Sequence, residues 1–389
     1  MHAPTLNKDR IDRHETLIAV LQSAPATHLA MEQPGPGSAG RRRGQAAYTL
    51  VMFLLVVLLS GAALAALMLG SVHIPARTAL AILANLVLGD EVVDPVWRDA
   101  YEVIIVQTRM PRVFLAAVVG ASLGVTGMTI QSIVRNPLAG PGILGVSSGA
   151  AAGAVVVMRW GLVGLGAFTL HISAFLGGLV TLFAVFWVAR TGGHMTPVRL
   201  VLAGVAMSAI LSALTSLTVL TSPDPQLASR VLFWTLGGFG TAQWKLIPVP
   251  LVALVLGLGV MLVQARRLNL LMAGDESAIA LGLNVQRFRQ SMFVLSAALT
   301  GITVAVSGVI GFVGLIMPHI VRFIVGADHR RALPAVAVLG AAFTIAADLA
   351  ARSVIAPLEL PVGIVTALVG GPFFIWLLRR DARTLGGAR

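Results

Sequence analysis

The chain has 389 residues, of which 57% are hydrophobic and 11% are charged, and its mean hydropathy is +0.89. No soluble domain of this size could bury so much apolar surface, so the composition indicates a protein that crosses the membrane many times. The net charge of +12 reflects arginine-rich loops and not a nucleic-acid site, and the absence of cysteine excludes disulfides, thiolate metal sites and thiol catalysis.

The first 45 residues are polar and end with a run of arginines, Arg41 to Arg43. We interpret residues 1–45 as a disordered cytoplasmic tail that closes with a topology signal. No apolar core precedes Met31, so we expect no signal peptide, and the sequence is compatible with a start at Met1 or at Met31.

Ten apolar segments approach the length of about 20 residues that a helix needs to cross a hydrocarbon core of roughly 30 Å. They predict an all-α polytopic membrane protein, with a permease domain at 46–380 and a short cytoplasmic C-terminal tail at 381–389. The seventh and eighth segments run together, so we expect a tight turn or a broken helix near Gly308. The predicted spans are 48–70, 111–134, 142–158, 168–189, 197–220, 246–265, 290–307, 309–325, 333–354 and 361–378.

Charge bias in the loops gives the expected orientation. An even number of spans places both termini on one side. With that side in the cytoplasm, the inner segments near the membrane carry sixteen lysines and arginines and the outer segments carry eight. The outer face then has two larger pieces, 71–110 and 221–245.

Glycines recur at four-residue spacing in two predicted spans, as Gly120 with Gly124 and Gly149 with Gly153. Such pairs let helix backbones approach closely, which favours tight packing in a multi-helix transporter. Taken singly, each pair is explained equally well by the general abundance of glycine in membrane helices.

The pattern GxSxG, typical of serine hydrolases, occurs around Ser147. That pattern requires a strand before the serine and a helix after it. Ser147 lies instead at the start of a predicted membrane helix, so we interpret the match as coincidence. Neither Lys8 nor Lys245 follows a glycine, so the sequence has no phosphate-binding loop, and we predict no enzymatic activity for this chain itself.

Four ionisable residues lie within predicted spans: His319, Arg322, Asp348 and Arg352. Charge inside a membrane points to function by default. All four lie nearer to the ends of the spans than to the centre, and Arg352 follows Asp348 by one helical turn. We therefore favour structural pairing or snorkelling. We find no proton relay, which argues against an ion-coupled transporter.

A polar stripe follows one face of the fifth span and consists of Ser208, Ser212 and Thr215, with Ser216 beside them. Two interpretations are open. The stripe lines an aqueous translocation path, or its hydroxyls bond to their own backbone and to a neighbouring helix.

The segment from Arg266 to Arg289 is a polar insert between two apolar spans, and its flanking arginines favour the cytoplasmic side. Gly274 predicts a break between two short helices, and Gly282 predicts the end of the second. Asp275 can cap that second helix, with Glu276 at its positively polarised end. Apolar residues within the insert indicate a compact helical knob, which is suited to binding a cytosolic partner.

Ordered motifs occur throughout residues 45–380. They are TRMPR at 108–112, RNPLA at 135–139 with GILGV at 142–146, LGG at 236–238, AGDESAIALGLNV at 273–285, GFVGLIMPHIVR at 311–322 and LPVGIVT at 360–366. In this order they resemble the permease subunits of type II ABC importers, the family that moves ferric siderophores, haem and cobalamin. The resemblance implies a fold like that of cobalamin-importer permeases, with about ten membrane helices and short cytoplasmic coupling helices.

The resemblance also implies partners and site residues. It implies a homodimer in the bacterial inner membrane, with the substrate path between the copies, two cytosolic ATPase subunits, and a periplasmic binding protein. We expect the polar stripe to face that path, because its residues share one helical face. Residues 267–287 match the coupling helices of the family, whereas Arg109, Arg112 and Arg352 match arginines that meet acidic residues of the binding protein. The residues expected to couple to the ATPase are Leu271, Ala273, Gly274, Asp275, Glu276 and Gly282.

The expected cargo is an iron complex, either haem or a ferric siderophore, and cobalamin is the alternative. No cluster of histidine, methionine and tyrosine marks a haem ligand in the sequence, and we expect no cofactor and no resident metal. Two remote alternatives are an intramembrane serine hydrolase, using Ser147 with a distant histidine such as His319, and an ion-coupled secondary transporter. Labelling of Ser147 by a serine-reactive probe would favour the hydrolase.

Overall fold

A computed structural model describes residues 38–70, 72, 74–89, 93–190 and 196–386. Within these ranges the chain folds into α-helices joined by short turns, with no strand, which confirms the all-α prediction. Of the predicted tail, 1–45, residues 1–37 lie outside the described residues, and residues 38–45 belong to the first helix. Residues 387–389 of the predicted C-terminal tail also lie outside the described residues, while 381–386 continue the last helix.

Fifteen α-helices follow one another along the described chain. A π-helical turn, Ile104–Arg109, joins the third and fourth helices into one continuous rod of 36 residues, Asp99–Val134. The helices are α1 (Ser38–Met68), α2 (Ala76–Leu88), α3 (Asp99–Val103), α4 (Met110–Val134), α5 (Val146–Trp160), α6 (Thr169–Ala189), α7 (Pro197–Leu220), α8 (Leu227–Leu236), α9 (Pro248–Val263), α10 (Ala265–Met272), α11 (Asp275–Ala280), α12 (Val285–Ser307), α13 (Val313–Val325), α14 (His329–Ser353) and α15 (Val362–Gly386).

Each of the ten predicted spans coincides with a helix. In the described ranges, seven helices are long and apolar enough to cross a membrane, namely α1, the α3–α4 rod, α6, α7, α9, α12 and α14. The shorter apolar helices α5, α13 and α15 account for the other three spans. The predicted break is confirmed, because α12 ends at Ser307, Gly308 has φ +68°, and α13 begins at Val313.

The predicted glycine pairs lie where helices pack backbone against backbone, α5 with α6 and α4 with α14. A side chain added at any of the four glycines of the predicted GxxxG pairs would overlap a carbonyl oxygen of the partner helix. The close approach predicted for both pairs is therefore confirmed. We term these two contacts the glycine seams. Their closest pairs are Gly149 with Gly177, Gly153 with Ser173, Gly120 with Gly340, and Gly124 with Val336.

The central helix α4 is buried along most of its length and defines two ends of the bundle. Its first residues meet the ends of α1 and α14, through Arg109 and Arg112. The residue after its last turn, Arg135, meets α11. We term these the arginine end and the knob end. The ends of α1 and α14 lie where α4 begins, which agrees with spans that alternate in direction.

Candidate functional sites at the two ends of the bundle

The knob, residues 265–282, consists of α10 and α11 with Gly274 between them. Helix α10 packs Leu268 and Leu271 against the bundle. Gly274 has φ +121° and ψ 153°, a region of backbone conformation that is open essentially to glycine alone. Gly282, with φ +81°, follows the end of α11. The predicted break and the predicted helix end are both confirmed.

Asp275 ties the knob to the membrane helices. Its carboxylate accepts hydrogen bonds from Nη2 of Arg289 at 2.9 and 3.0 Å, and Nη1 of Arg135 lies 3.3 Å from Oδ1. Arg289 is buried and also donates from Nε to the carbonyl of Ile133 at 3.2 Å. The predicted capping role of Asp275 is wrong, because Gly274 occupies the N-cap position and two arginines take up the carboxylate.

Leu271 cannot contact a partner while the knob is folded. Its exposed fraction is 0%, because it lies on the face of α10 that packs into the hydrophobic core. Docking through Leu271 would require the knob to unpack and stays a prediction, whereas in the structure Leu271 anchors the knob.

Three large apolar side chains of the knob are exposed, and the sequence analysis did not assign any of them to docking. Met272 is 41% exposed, Ile279 is 61% exposed and Leu281 is 68% exposed. The remaining predicted coupling residues line the same outward region, with Ala273, Glu276 and Gly282 exposed and Gly274 and Asp275 half-buried. A group of exposed apolar side chains on a segment outside the membrane-spanning helices is typical of a surface that another protein covers.

A chain of hydrogen bonds connects the knob to two membrane helices. Oδ1 of Asn269, on α10, accepts from the backbone N–H of His329 at 3.0 Å and lies 2.6 Å from its Nδ1. Nε2 of His329 lies 2.6 Å from Oγ of Ser132 on α4. Nδ2 of Asn269 donates to Asp328 at 2.8 Å. Asn269 and His329 thus link α10 to α4 and α14.

Asp328 is well suited to this position at the start of α14. Burial alone would raise its pKa, but hydrogen bonds from Asn269 and from the backbone of Arg330, together with two nearby arginine charges, lower the pKa below its usual value. Sequence reasoning missed this connection because Asn269 and His329 are 60 residues apart. The sequence signal that could have indicated this connection is Asp328 at an N-cap position, followed directly by His329.

The polar stripe lies on a peripheral helix. On α7, Ser212 and Ser216 are exposed, and Ser208 and Thr215 are half-buried. Oγ1 of Thr215 is shielded from solvent and finds no hydrogen-bond partner among the described residues. Thr218, one turn away, donates to the carbonyl of Leu214 instead. At Thr215 the structure therefore does not support the interpretation of bonding to the helix backbone.

The three predicted docking arginines are buried at the arginine end. Their exposed fractions are 4% for Arg109, 7% for Arg112 and 5% for Arg352. Arg109 donates from Nη1 to the carbonyls of Leu67 and Met68 at 2.6 and 2.9 Å, which fixes the end of α1. Direct contact with a partner would require these side chains to leave their present positions, so docking through them stays a prediction.

Asp348 is the buried carboxylate at the centre of this cluster. Nε of Arg112 lies 3.0 Å from both of its oxygens, and Nη2 lies 2.9 Å from Oδ1. Nε of Arg352 is 3.6 Å from Oδ2, which confirms the predicted pairing one helical turn apart. Nη1 of Arg112 also reaches the half-exposed Glu359 at 2.8 Å. The cluster joins α4 to α14 and to the loop before α15.

The other ionisable residues in spans have structural partners. Nη1 of Arg322 donates to Oε1 of Gln131 at 2.5 Å, and the ring of His319 packs edge-on against Phe323, with centroids 4.7 Å apart. Ser147 lies in the first turn of α5, and a 3₁₀ turn, Pro141–Leu144, precedes it in place of a strand. This geometry does not build a nucleophile elbow.

Comparison with known proteins gives consistent matches over most of the chain. Residues 52–380 match the FecCD transport family. The hemin transport system permease HmuU of Yersinia pestis is 45% identical over 296 residues, which are 74% of this chain and 87% of that protein. The cobalamin import system permease BtuC of Halobacterium salinarum is 41% identical, over 74% of this chain and 76% of its own. A solved structure of a metal-chelate type ABC transporter, in an inward-facing conformation, has a TM-score of 0.71 and 33% identity, covering 85% of this chain and 99% of that one.

Proposed function

Because the chain belongs to the FecCD transport family and is a permease of the ABC importer type, we propose that it carries an iron complex, haem or a ferric siderophore, from a periplasmic binding protein into the cytoplasm. The observation that carries this proposal is the two-ended architecture. A knob with exposed apolar side chains at one end is joined by buried and half-buried polar contacts to the helices that reach the other end.

The cargo proposal is supported by the similarity to a hemin permease, while the similarity to a cobalamin permease keeps cobalamin as the alternative. The direct test is reconstitution of the chain in liposomes with its ATPase subunits and its binding protein. We expect ATP-dependent uptake of haemin or of a ferric siderophore, and no uptake of cobalamin. Uptake of cobalamin alone would assign the alternative.

We place the knob end in the cytoplasm and assign the knob to the ATPase subunits, as the arginine bias of the insert favours. In this proposal the ATPase covers Ile279 and Leu281. Its motion then reaches α12 through Asp275 and Arg289, and α14 through Asn269. A displaced knob thereby shifts several spans together.

Replacing Gly274 by valine is expected to lower ATP-driven uptake while membrane insertion is kept. A side chain there would meet open space, with its nearest neighbour, Nη1 of Arg135, at 3.9 Å, so the cost comes from the backbone conformation and is about 1–3 kcal/mol. The matched control is Gly259→Val, a helical glycine with open space around it. Uptake that is equal in the two variants would show that the break at Gly274 has no role in coupling.

We also propose that α7 lines the translocation path between two copies of the chain. Ser212→Cys is expected to react with a water-soluble thiol reagent in at least one transport state, because the chain has no other cysteine and the stripe faces water in this proposal. Leu214→Cys, on the opposite side of α7 and also exposed, is the matched control for lipid-facing positions. Faster labelling of Leu214→Cys than of Ser212→Cys would contradict the path.

The binding protein is assigned to the arginine end. There the buried arginines fix the surface that it would meet, since Arg109 holds the end of α1 and Arg112 holds Glu359. Arg112→Glu would place a third carboxylate beside Asp348 and Glu359. That variant therefore tests the stability of the fold as well as docking.

A further inference from the structure

A cavity of about 530 Å³ opens at the arginine end, between the ends of α5 and α12, the start of α6, helix α8 and the loop before α15. We term it the vestibule. Its lining combines an imidazole, guanidinium groups and aromatic rings, a mixture that apolar membrane surfaces do not carry. The residues that matter here are His171, Arg230, Phe233, Trp234 and Glu359.

We propose that the vestibule binds a planar iron porphyrin that carries carboxylate groups, and that haem is therefore the cargo. This inference rests on the proposed import of an iron complex and narrows it to one chemical class. It assigns iron ligation to His171 and carboxylate binding to Arg230, with Phe233 and Trp234 packing against the flat face of the macrocycle.

Helix α8 presents the porphyrin-binding chemistry on one face. Arg230, Phe233 and Trp234 stand at positions i, i+3 and i+4, so they are neighbours on the helix surface. The aromatic side chains offer stacking and edge contacts to a planar ring system. A guanidinium group at the side of such a platform is placed to bind a carboxylate at two points.

Arg230 is the cation of the vestibule that can exchange its partner. It pairs with Asp224, and both side chains are about half exposed, so that ion pair is worth only about 0–1 kcal/mol. Arg112, which also lines the vestibule, is held by the buried Asp348 and by Glu359. A cargo carboxylate would therefore displace Asp224 from Arg230 at little cost.

His171 gives the vestibule a ligand for iron. It stands in the first turn of α6, half-buried, and lines the cavity opposite α8. Histidine is a common axial ligand of haem iron. A ferric hydroxamate has no open coordination position for an imidazole and no flat aromatic face, and cobalamin carries amides in place of free carboxylates. The combination of residues thus favours an iron porphyrin over a ferric hydroxamate and over cobalamin.

The test is a titration of the full chain in lipid nanodiscs with haemin, with metal-free protoporphyrin, and with a ferric hydroxamate. Haemin is expected to shift its Soret band on binding. His171→Ala should remove that shift and weaken haemin binding about tenfold or more, while leaving the affinity for metal-free protoporphyrin unchanged. Arg230→Gln should weaken both porphyrins to a similar extent and keep the Soret shift of the bound haemin.

Arg159→Gln is the matched control, because this arginine neighbours the vestibule but does not line it, and it should bind haemin as the unmodified chain does. The assignment is overturned if both vestibule variants bind haemin normally, or if the hydroxamate binds as tightly as haemin and is equally weakened by His171→Ala. Uptake by the reconstituted importer separates failure of the vestibule assignment from failure of the proposed import of an iron complex. ATP-driven uptake of a ferric siderophore that is insensitive to His171→Ala would reject the vestibule and keep the iron importer, whereas absence of uptake of any iron complex by the unmodified chain would reject both.

Discussion

Replacing Ile279 and Leu281 together by aspartate is expected to abolish ATP-driven uptake while the permease stays folded in the membrane. Both side chains point away from the bundle and are more than half exposed, so they contribute little to the fold of the chain itself. Buried in a partner, each would contribute about 1.5–3 kcal/mol. Losing both, and adding two charges to the centre of the interface, should weaken ATPase binding by roughly a hundredfold or more.

The measurement is co-purification of the ATPase subunits with the permease, together with uptake in liposomes. Val96→Asp, an exposed apolar position near the arginine end of the bundle, is the control for adding charge to the surface. Leu271→Ala serves as the contrasting variant, because deletion of a fully buried leucine should cost about 2–5 kcal/mol of stability. Normal ATPase association in the Ile279 and Leu281 variant would remove the knob from the docking surface.

Replacing Asp348 by alanine is expected to destabilise the folded permease strongly, and far more than the loss of an exposed aspartate such as Asp224. Among the described residues, the substitution leaves Arg112 with only the half-exposed Glu359 and Arg352 with no carboxylate in contact, although both guanidinium groups remain buried. Breaking a buried ion pair by removing one partner costs about 3–5 kcal/mol, because an uncompensated charge is left in a poorly solvated place.

Thermal unfolding of the purified protein in detergent measures this effect. Asp224→Ala is the matched control, since it also removes an aspartate paired with an arginine, but from an exposed pair worth about 0–1 kcal/mol. A clear drop in melting temperature is expected for Asp348→Ala and almost none for Asp224→Ala. Equal melting temperatures would mean that the arginine cluster does not support the fold.

The positions of the spans could be predicted from the sequence because hydrophobic length decides them directly. The breaks at Gly274 and Gly308 could also be predicted, because glycine readily adopts the positive φ that both positions have in the structure. The face that a short helix turns to its neighbours depends on packing, which a local pattern does not contain. For that reason Leu271 was assigned to the surface although it lies in the core.

The burial and the partners of the arginines could not be predicted from the sequence for a similar reason. An arginine at the end of a span is equally consistent with snorkelling, docking and burial. The deciding partner of Arg112, Asp348, is 236 residues away along the chain, and Glu359 is 247 residues away. The vestibule is assembled in the same way from several separate segments, so its mixture of imidazole, guanidinium and aromatic groups becomes visible only in the folded chain.

The glycine seams limit how this bundle can change shape. Where side chains separate two helices, rotamer changes let the helices slide, but at the seams backbone meets backbone and a small shift would bring carbonyl oxygens into collision. We expect α5 with α6, and α4 with α14, to behave as two stiff blocks. Alternating access would then arise from the tilt of one block against the other, and the flexible parts of the cycle would be the short connections between blocks, not the helices themselves.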